Sequence, residues 1–133
     1  FNRFTQTDMD IDNLKLKTTF SFSTGDELRR ILRWTALLSG QVNCDIAATT
    51  GVKTASDVIK LLLAGASAVQ IASLFYNKGL SVIDSLKQEL ENWMSDKHFQ
   101  TIDDFKGRLS FGKTPQSDQY LRMQFMEKIR GVE

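Results

Sequence analysis

Cysteine, histidine and proline, which carry much of protein chemistry and chain punctuation, occur once each among the 133 residues of this sequence. Cys44 alone cannot close an intramolecular disulfide, and Cys44 with His98 falls short of a Cys/His zinc cage, so no metal site is expected. A reducing, cytoplasmic setting fits a lone thiol. Charge of one sign is also lacking. Seventeen Lys and Arg stand against sixteen Asp and Glu, so no bulk field draws the chain to nucleic acid or to an anionic membrane. The longest uncharged apolar run, residues 61–66, is far too short to cross a bilayer. No secretory signal is visible.

What remains is an ordinary globular mixture, 41% hydrophobic and 25% charged, with too much apolar content for a disordered chain. Residues 5–13 are polar and acidic and read as a loop. Residues 14–22 alternate apolar with polar in part, the period-two signal of a strand. Ser23 or Thr24 can cap a helix over residues 26–38, with Leu28, Ile31, Leu32, Leu37 and Leu38 as its apolar stripe and Gly40 as its stop. Arg29, Arg30 and Arg33 fall mostly off that stripe and read as a solvated face. Residues 42–48 suit a buried strand, which makes a packed thiol the expected role of Cys44.

Thr54 and Asp57 form a capping-box pair, since each side chain can satisfy a free backbone donor at a helix start. The helix they open ends at Ala64-Gly65. Residues 67–71 are a second short strand, and residues 80–94 a long helix with Ile83, Leu86, Leu90 and Trp93 on one face. Thr101 and Asp104 repeat the capping box before a short helix. Residues 112–117, around Pro115, read as a linker, and residues 117–129 as a last helix with Leu121, Phe125 and Met126 as a contact stripe. Strands alternating with amphipathic helices indicate a parallel α/β sheet.

In such sheets the chemistry gathers at the carboxyl ends of the strands. Three segments occupy that place: Ser23-Thr24-Gly25, Thr49-Thr50-Gly51, and Ala72-Ser73 with Asn77 and Gly79 behind it. Each puts small or hydroxyl residues before a helix, where free amides and the helix dipole suit a phosphate. Taken singly, each is a cap or a tight turn. Two of them separated by one βα unit match the way barrels bind phosphate between neighbouring loops.

Those residues also carry a resemblance. The run Asp45-Ile46-Ala47-Ala48-Thr49-Thr50-Gly51-Val52, then Ser56-Asp57-Val58, then Leu62-Leu63-Ala64-Gly65-Ala66-Ser67-Ala68-Val69-Gln70-Ile71-Ala72-Ser73, resembles the end of the dihydroorotate dehydrogenase family, particularly its class 1 members. Ile102-Asp103-Asp104-Phe105-Lys106-Gly107 is similar to the family's closing helices. The resemblance implies the C-terminal portion of a (β/α)8 TIM barrel, about its last three βα units, plus C-terminal helices. Residues 1–110 would belong to the barrel, and residues 111–133 would be a linker and helical tail.

The function implied is an FMN-dependent oxidoreductase acting on dihydroorotate or a similar dihydropyrimidine. The flavin phosphate would lie on Thr50, Gly51, Ala72 and Ser73, with Gly25 near the ribityl chain and Asn2 touching substrate. The family's Gly-Gly and Gly-Thr are replaced here by Thr50-Gly51 and Ala72-Ser73, which keeps the backbone donors. The family's catalytic base and flavin-adjacent lysine have no counterpart, so no catalytic residue is expected in this chain.

Length sets a further expectation. A barrel of this type takes roughly 250 residues, so the chain is expected to be a homo-oligomer or to belong with the remainder of a longer polypeptide. Two alternatives stay open: a flavin-free barrel isomerase or synthase that grips a substrate phosphate at the same loops, or an inactive fragment whose tail serves assembly.

Overall fold

A computed structural model of the chain describes residues 6–19 and 22–121. Its first two elements form a hairpin. Strand β1 (Gln6–Asp10) pairs antiparallel with β2 (Lys15–Thr19), with Asp8 opposite Lys17 and Asp10 opposite Lys15. Opposite charges facing each other across a ladder stabilise it, which is why residues 6–10 form a strand where their polarity alone suggests a loop. The Asp10 carboxylate closes the turn, accepting from the Asp12 and Asn13 backbone amides and the Asn13 side-chain amide. The period-two segment is thus a strand over residues 15–19, but its partner is this hairpin and not a parallel sheet. Met9, Ile11, Leu14 and Leu16 stand exposed on it.

Helix α1 (Gly25–Leu38) starts at Thr24, whose backbone N–H donates to Glu27 Oε2 at 2.7 Å. Leu28 is buried, with Ile31 and Leu32 partly so, and the core extends to Thr35 and Ala36. Trp34 remains 52% exposed, with the Arg33 guanidinium 5.6 Å from its ring centre. The strand expected over residues 42–48 shrinks to β3 (Ala47–Thr49). The end of α1 overruns it: the amides of Gln41 and Val42 bond back to Leu38 O, and the segment leaves the helix through exposed bends. Cys44 is exposed there, which corrects its reading as a packed thiol.

Helix α2 (Ala55–Ala64) connects β3 to β4 (Ala68–Gln70), and the two strands pair in parallel with Ala48 beside Val69 and Thr49 beside Gln70. Gly65 ends α2 at φ +110; a Cβ there would lie 2.4 Å from Ser39 Oγ, whose hydroxyl donates to Ala64 O at 2.9 Å. Leu28, Ala48, Val52, Leu61 and Ala66 form the core between α1, α2 and the sheet. The described residues are therefore a mixed α/β arrangement with two two-stranded sheets.

After β4 comes a short helix absent from the sequence reading, α3 (Ser73–Lys78), and then α4 (Val82–Asp96). None of the α4 residues is fully buried, and Ile83 is 38% exposed. Trp93 packs edge-on to Phe105 at 5.0 Å. The Thr101–Asp104 box opens a 3-10 turn (Ile102–Asp104), after which the chain is stitched to the core through Gly107 N to Leu62 O, Leu109 N to Leu63 O and Phe111 N to Ala36 O, each 2.9 Å. Within residues 112–117, read as a linker, Thr114 is buried. The tail helix begins only as a 3-10 turn (Ser117–Tyr120), and Leu121 is already extended. Arg33 Nε donates to Tyr120 O at 2.7 Å, so Arg33 anchors this segment and is not simply a solvated charge. Phe125, Met126 and the rest of that expected helix lie outside the described residues.

The start of α2 carries a pH dependence. Burial alone would raise the pKa of Asp57, but the backbone N–H groups of Lys53 and Thr54 and the Thr54 side chain outweigh it and hold the carboxyl below its ordinary value of 3.8. A carboxylate depressed on folding adds stability at neutral pH and loses that contribution as pH falls through its folded value. Acid titration of folding stability is therefore expected to show a decline below pH 3.8 that is shallower in Asp57→Asn. Some decline persists in the variant, because Asp10 (held mainly by the Asn13 side chain) and Asp104 (held mainly by the Thr101 amide) are depressed too. Identical acid profiles for the two proteins would show that Asp57 is not linked to folding.

Candidate functional site

Parallel pairing of β3 and β4 puts their carboxyl ends side by side, so the turns after Thr49 and Gln70 leave the sheet at one edge. Thr49 Oγ1 also reaches Gln70 O at 3.4 Å across that edge. The turn after β3 holds two consecutive positive φ angles, +87° at Thr50 and +81° at Gly51. A β-branched residue in that region carries strain of about 1–3 kcal/mol. Both positions therefore favour a residue without a Cβ. Only the second glycine is kept here.

Gly51 also has a packing reason. A Cβ at this buried position would lie 2.7 Å from Leu28 N and 2.9 Å from Thr24 O. The turn is thus pressed against the backbone of the first turn of α1, bringing the second segment onto the first. The third joins through side chains: Ser23 Oγ lies 2.8 Å from Ser73 Oγ, and Lys53 Nζ donates to Ser73 Oγ at 3.3 Å. Residues 50 positions apart in the sequence therefore share one polar cluster, with Ser23 buried at 9% exposure.

Of the residues singled out from the sequence, Thr50, Gly51 and Ser73 belong to this assembly directly. Ala72 is exposed immediately before Ser73 and caps α3. Gly25 opens α1 beside Thr24, with nothing within 4 Å of where its Cβ would be, so packing inside the described residues does not require glycine there. Asn2 lies outside the described residues. Ser23 stands in the first of the three segments without a ligand role assigned to it, and the sequence shows Lys53 only as the end of the turn that begins at Thr49. The signal for Lys53 was its place two residues after Gly51 in the same turn, although only its side-chain direction brings it into the cluster.

The donor set is two hydroxyls and an ammonium, and among the described residues no carboxylate lies within 4 Å of the Lys53 Nζ. Such a set fits an oxyanion ligand, and the ammonium favours a phosphate. His98 lies elsewhere, exposed beyond α4 with φ +59, beside Glu91, Met94 and Phe99 in a shallow surface cavity. It has no part in the cluster at the strand ends.

A family model for dihydroorotate dehydrogenase matches residues 7–94, which include every residue of the cluster. The chain belongs to the dihydroorotate dehydrogenase family. A putative dihydroorotate dehydrogenase A (fumarate) of Streptococcus equi subsp. equi (strain 4047) is 38% identical over 66 residues, covering 50% of this chain and 21% of that protein. A dihydroorotate dehydrogenase (fumarate) of Lachancea kluyveri is 37% identical over 65 residues, 49% of this chain and 21% of its own length. The stretch matched in these dihydroorotate dehydrogenases spans about a fifth of their length, so the site is read from this chain's own residues. No helix among the described residues is long and apolar enough to cross a membrane.

Proposed function

We propose that this chain supplies the phosphate-binding end of an FMN-dependent oxidoreductase acting on dihydroorotate or a closely similar dihydropyrimidine. The observation that carries the reading is the convergence of Ser23, Gly51, Lys53 and Ser73 at the carboxyl end of the β3–β4 pair, in a chain of this family. Strands β3 and β4 with α2 form one β–α–β unit, and we assign it to the closing part of a (β/α)8 barrel, with residues 1–110 in the barrel and residues 111–133 as the tail. The remainder of the barrel would come from further polypeptide or from association.

The FMN phosphate would be held by the hydroxyls of Ser23 and Ser73, the turn at Thr50-Gly51 and the start of α3 at Ala72-Ser73. When bound, the flavin supplies the hydride acceptor for oxidation of the substrate ring. The work of this chain is positional. It would hold one end of the cofactor against a turn pressed onto α1. Gly25 leaves open space beside the first turn of α1, where the ribityl chain would pass. Asn2 is assigned to substrate contact, and proton removal to a base outside this chain. The substrate is a small molecule, and the working site cytoplasmic.

The test is a visible spectrum of the full-length polypeptide, followed by denaturation and an assay of dihydroorotate oxidation. A flavin spectrum, release of FMN on denaturation and bleaching by dihydroorotate are expected. A colourless protein that takes up no added FMN would overturn the cofactor assignment. Uptake of FMN without reduction by dihydroorotate would leave the cofactor and remove the substrate.

A further inference from the structure

The cluster contains one group that hydroxyl and amide donors do not replace. The backbone N–H of Lys53 is pinned to Asp57 Oδ2 at 3.1 Å, so the origin of its side chain is fixed by the cap of α2. Its stem is partly buried and its ammonium meets Ser73 Oγ at 3.3 Å. Two other lysines are matched with acids: Lys60 with Asp57 at 3.5 Å and Lys106 with Asp103 at 3.1 Å. Lys53 has no such partner within 4 Å among the described residues, and one hydroxyl occupies one of its three N–H donors.

The direction of the hydrogen bonds follows from what each group can do. An ammonium cannot accept, so Ser73 Oγ accepts from Lys53 and keeps its own proton to give. Between Ser73 and Ser23 one O–H proton is used, and the other is left to point out of the pair. A cation partly withdrawn from water, with no anion beside it and a spare hydroxyl proton next to it, is arranged for a ligand that brings negative charge.

We propose that Lys53 is the residue by which this site selects a phosphate monoester dianion, and so distinguishes FMN from the uncharged riboflavin. The inference rests on the FMN reading above. Backbone amides and serine hydroxyls hold a phosphate by shape and hydrogen bonds; Lys53 adds the one full countercharge in the cluster.

The experiment compares FMN and riboflavin binding to the full-length protein, stripped of flavin, by quenching of flavin fluorescence. Lys53→Met is expected to raise the Kd for FMN roughly 10- to 100-fold, the size of a lost hydrogen bond to a charged group. Its Kd for riboflavin is expected to stay unchanged, and Lys53→Arg to recover most of the FMN affinity. In the unaltered protein, FMN affinity is expected to fall with added salt while riboflavin affinity does not, a check that needs no variant. An FMN-to-riboflavin ratio unmoved by Lys53→Met overturns the role of Lys53 and leaves the cofactor in place. A parent protein that binds neither flavin overturns the cofactor reading itself. Should Lys53→Met fail to fold, a salt-independent FMN affinity in the parent protein overturns the inference on its own.

Discussion

Phe105→Ala is expected to lower folding stability by about 3–5 kcal/mol, the usual cost of removing a buried phenyl ring and leaving its cavity. The ring is fully buried, lies edge-on to Trp93 at 5.0 Å and tilts against Phe99 at 5.3 Å. Its loss would therefore free both other rings, and with them the Arg108 guanidinium 4.9 Å from the centre of Phe99. It also sits just before the residues whose amides bond to Leu62 and Leu63 of α2, so the closing segment would lose its anchor. Denaturant or thermal unfolding measures the effect. Phe105→Leu, which keeps most of the volume, should cost much less. Equal losses from the two substitutions would mean that the aromatic contacts, and not the filled space, hold the segment down.

The second large effect is expected at Gly51. Gly51→Ala combines left-handed backbone strain, about 1–2 kcal/mol for a residue with a Cβ, with overpacking of about 1–3 kcal/mol. The new methyl would press on Leu28 N and Thr24 O, which are backbone atoms with little freedom to retreat. A total loss of about 2–5 kcal/mol is expected. The turn would move off α1, so flavin affinity should fall with stability even though alanine adds no charge. An acidic substitution here would disturb the backbone before its charge met any phosphate, which makes Lys53 the cleaner probe of electrostatics. A Gly51→Ala protein with unchanged unfolding midpoint and unchanged FMN affinity would contradict both the strain and the contact with α1.

Local features of this chain were legible from its residues, and long-range ones much less so. The capping boxes at Thr54–Asp57 and Thr101–Asp104 lie where short-range hydrogen-bonding logic puts them. Helices α1, α2 and α4 fall within a few residues of their expected spans. Strand β1 escaped because its support comes from Lys15 and Lys17 across a turn, not from its own alternation. The strand before Thr49 was overestimated because the return of α1 through Gln41 and Val42 is a backbone event that an apolar run does not reveal. At the site, the three loops could be picked out individually, since each is small and polar before a helix. Their union depends on Ser23 reaching Ser73 and on Gly51 fitting beneath α1, and no local pattern encodes either. The Lys53 side chain was missed for the same reason.

The contact between Ser39 and Gly65 restricts how this chain can drift over evolutionary time. The serine fills the place that a side chain at residue 65 would take, while its hydroxyl ties the end of α1 to the last carbonyl of α2. A descendant that acquires a methyl at 65 must first have surrendered the hydroxymethyl at 39, and with it that tie. Even then the left-handed backbone at residue 65, φ +110, stays strained for any side chain, so glycine remains favoured there whatever stands at 39.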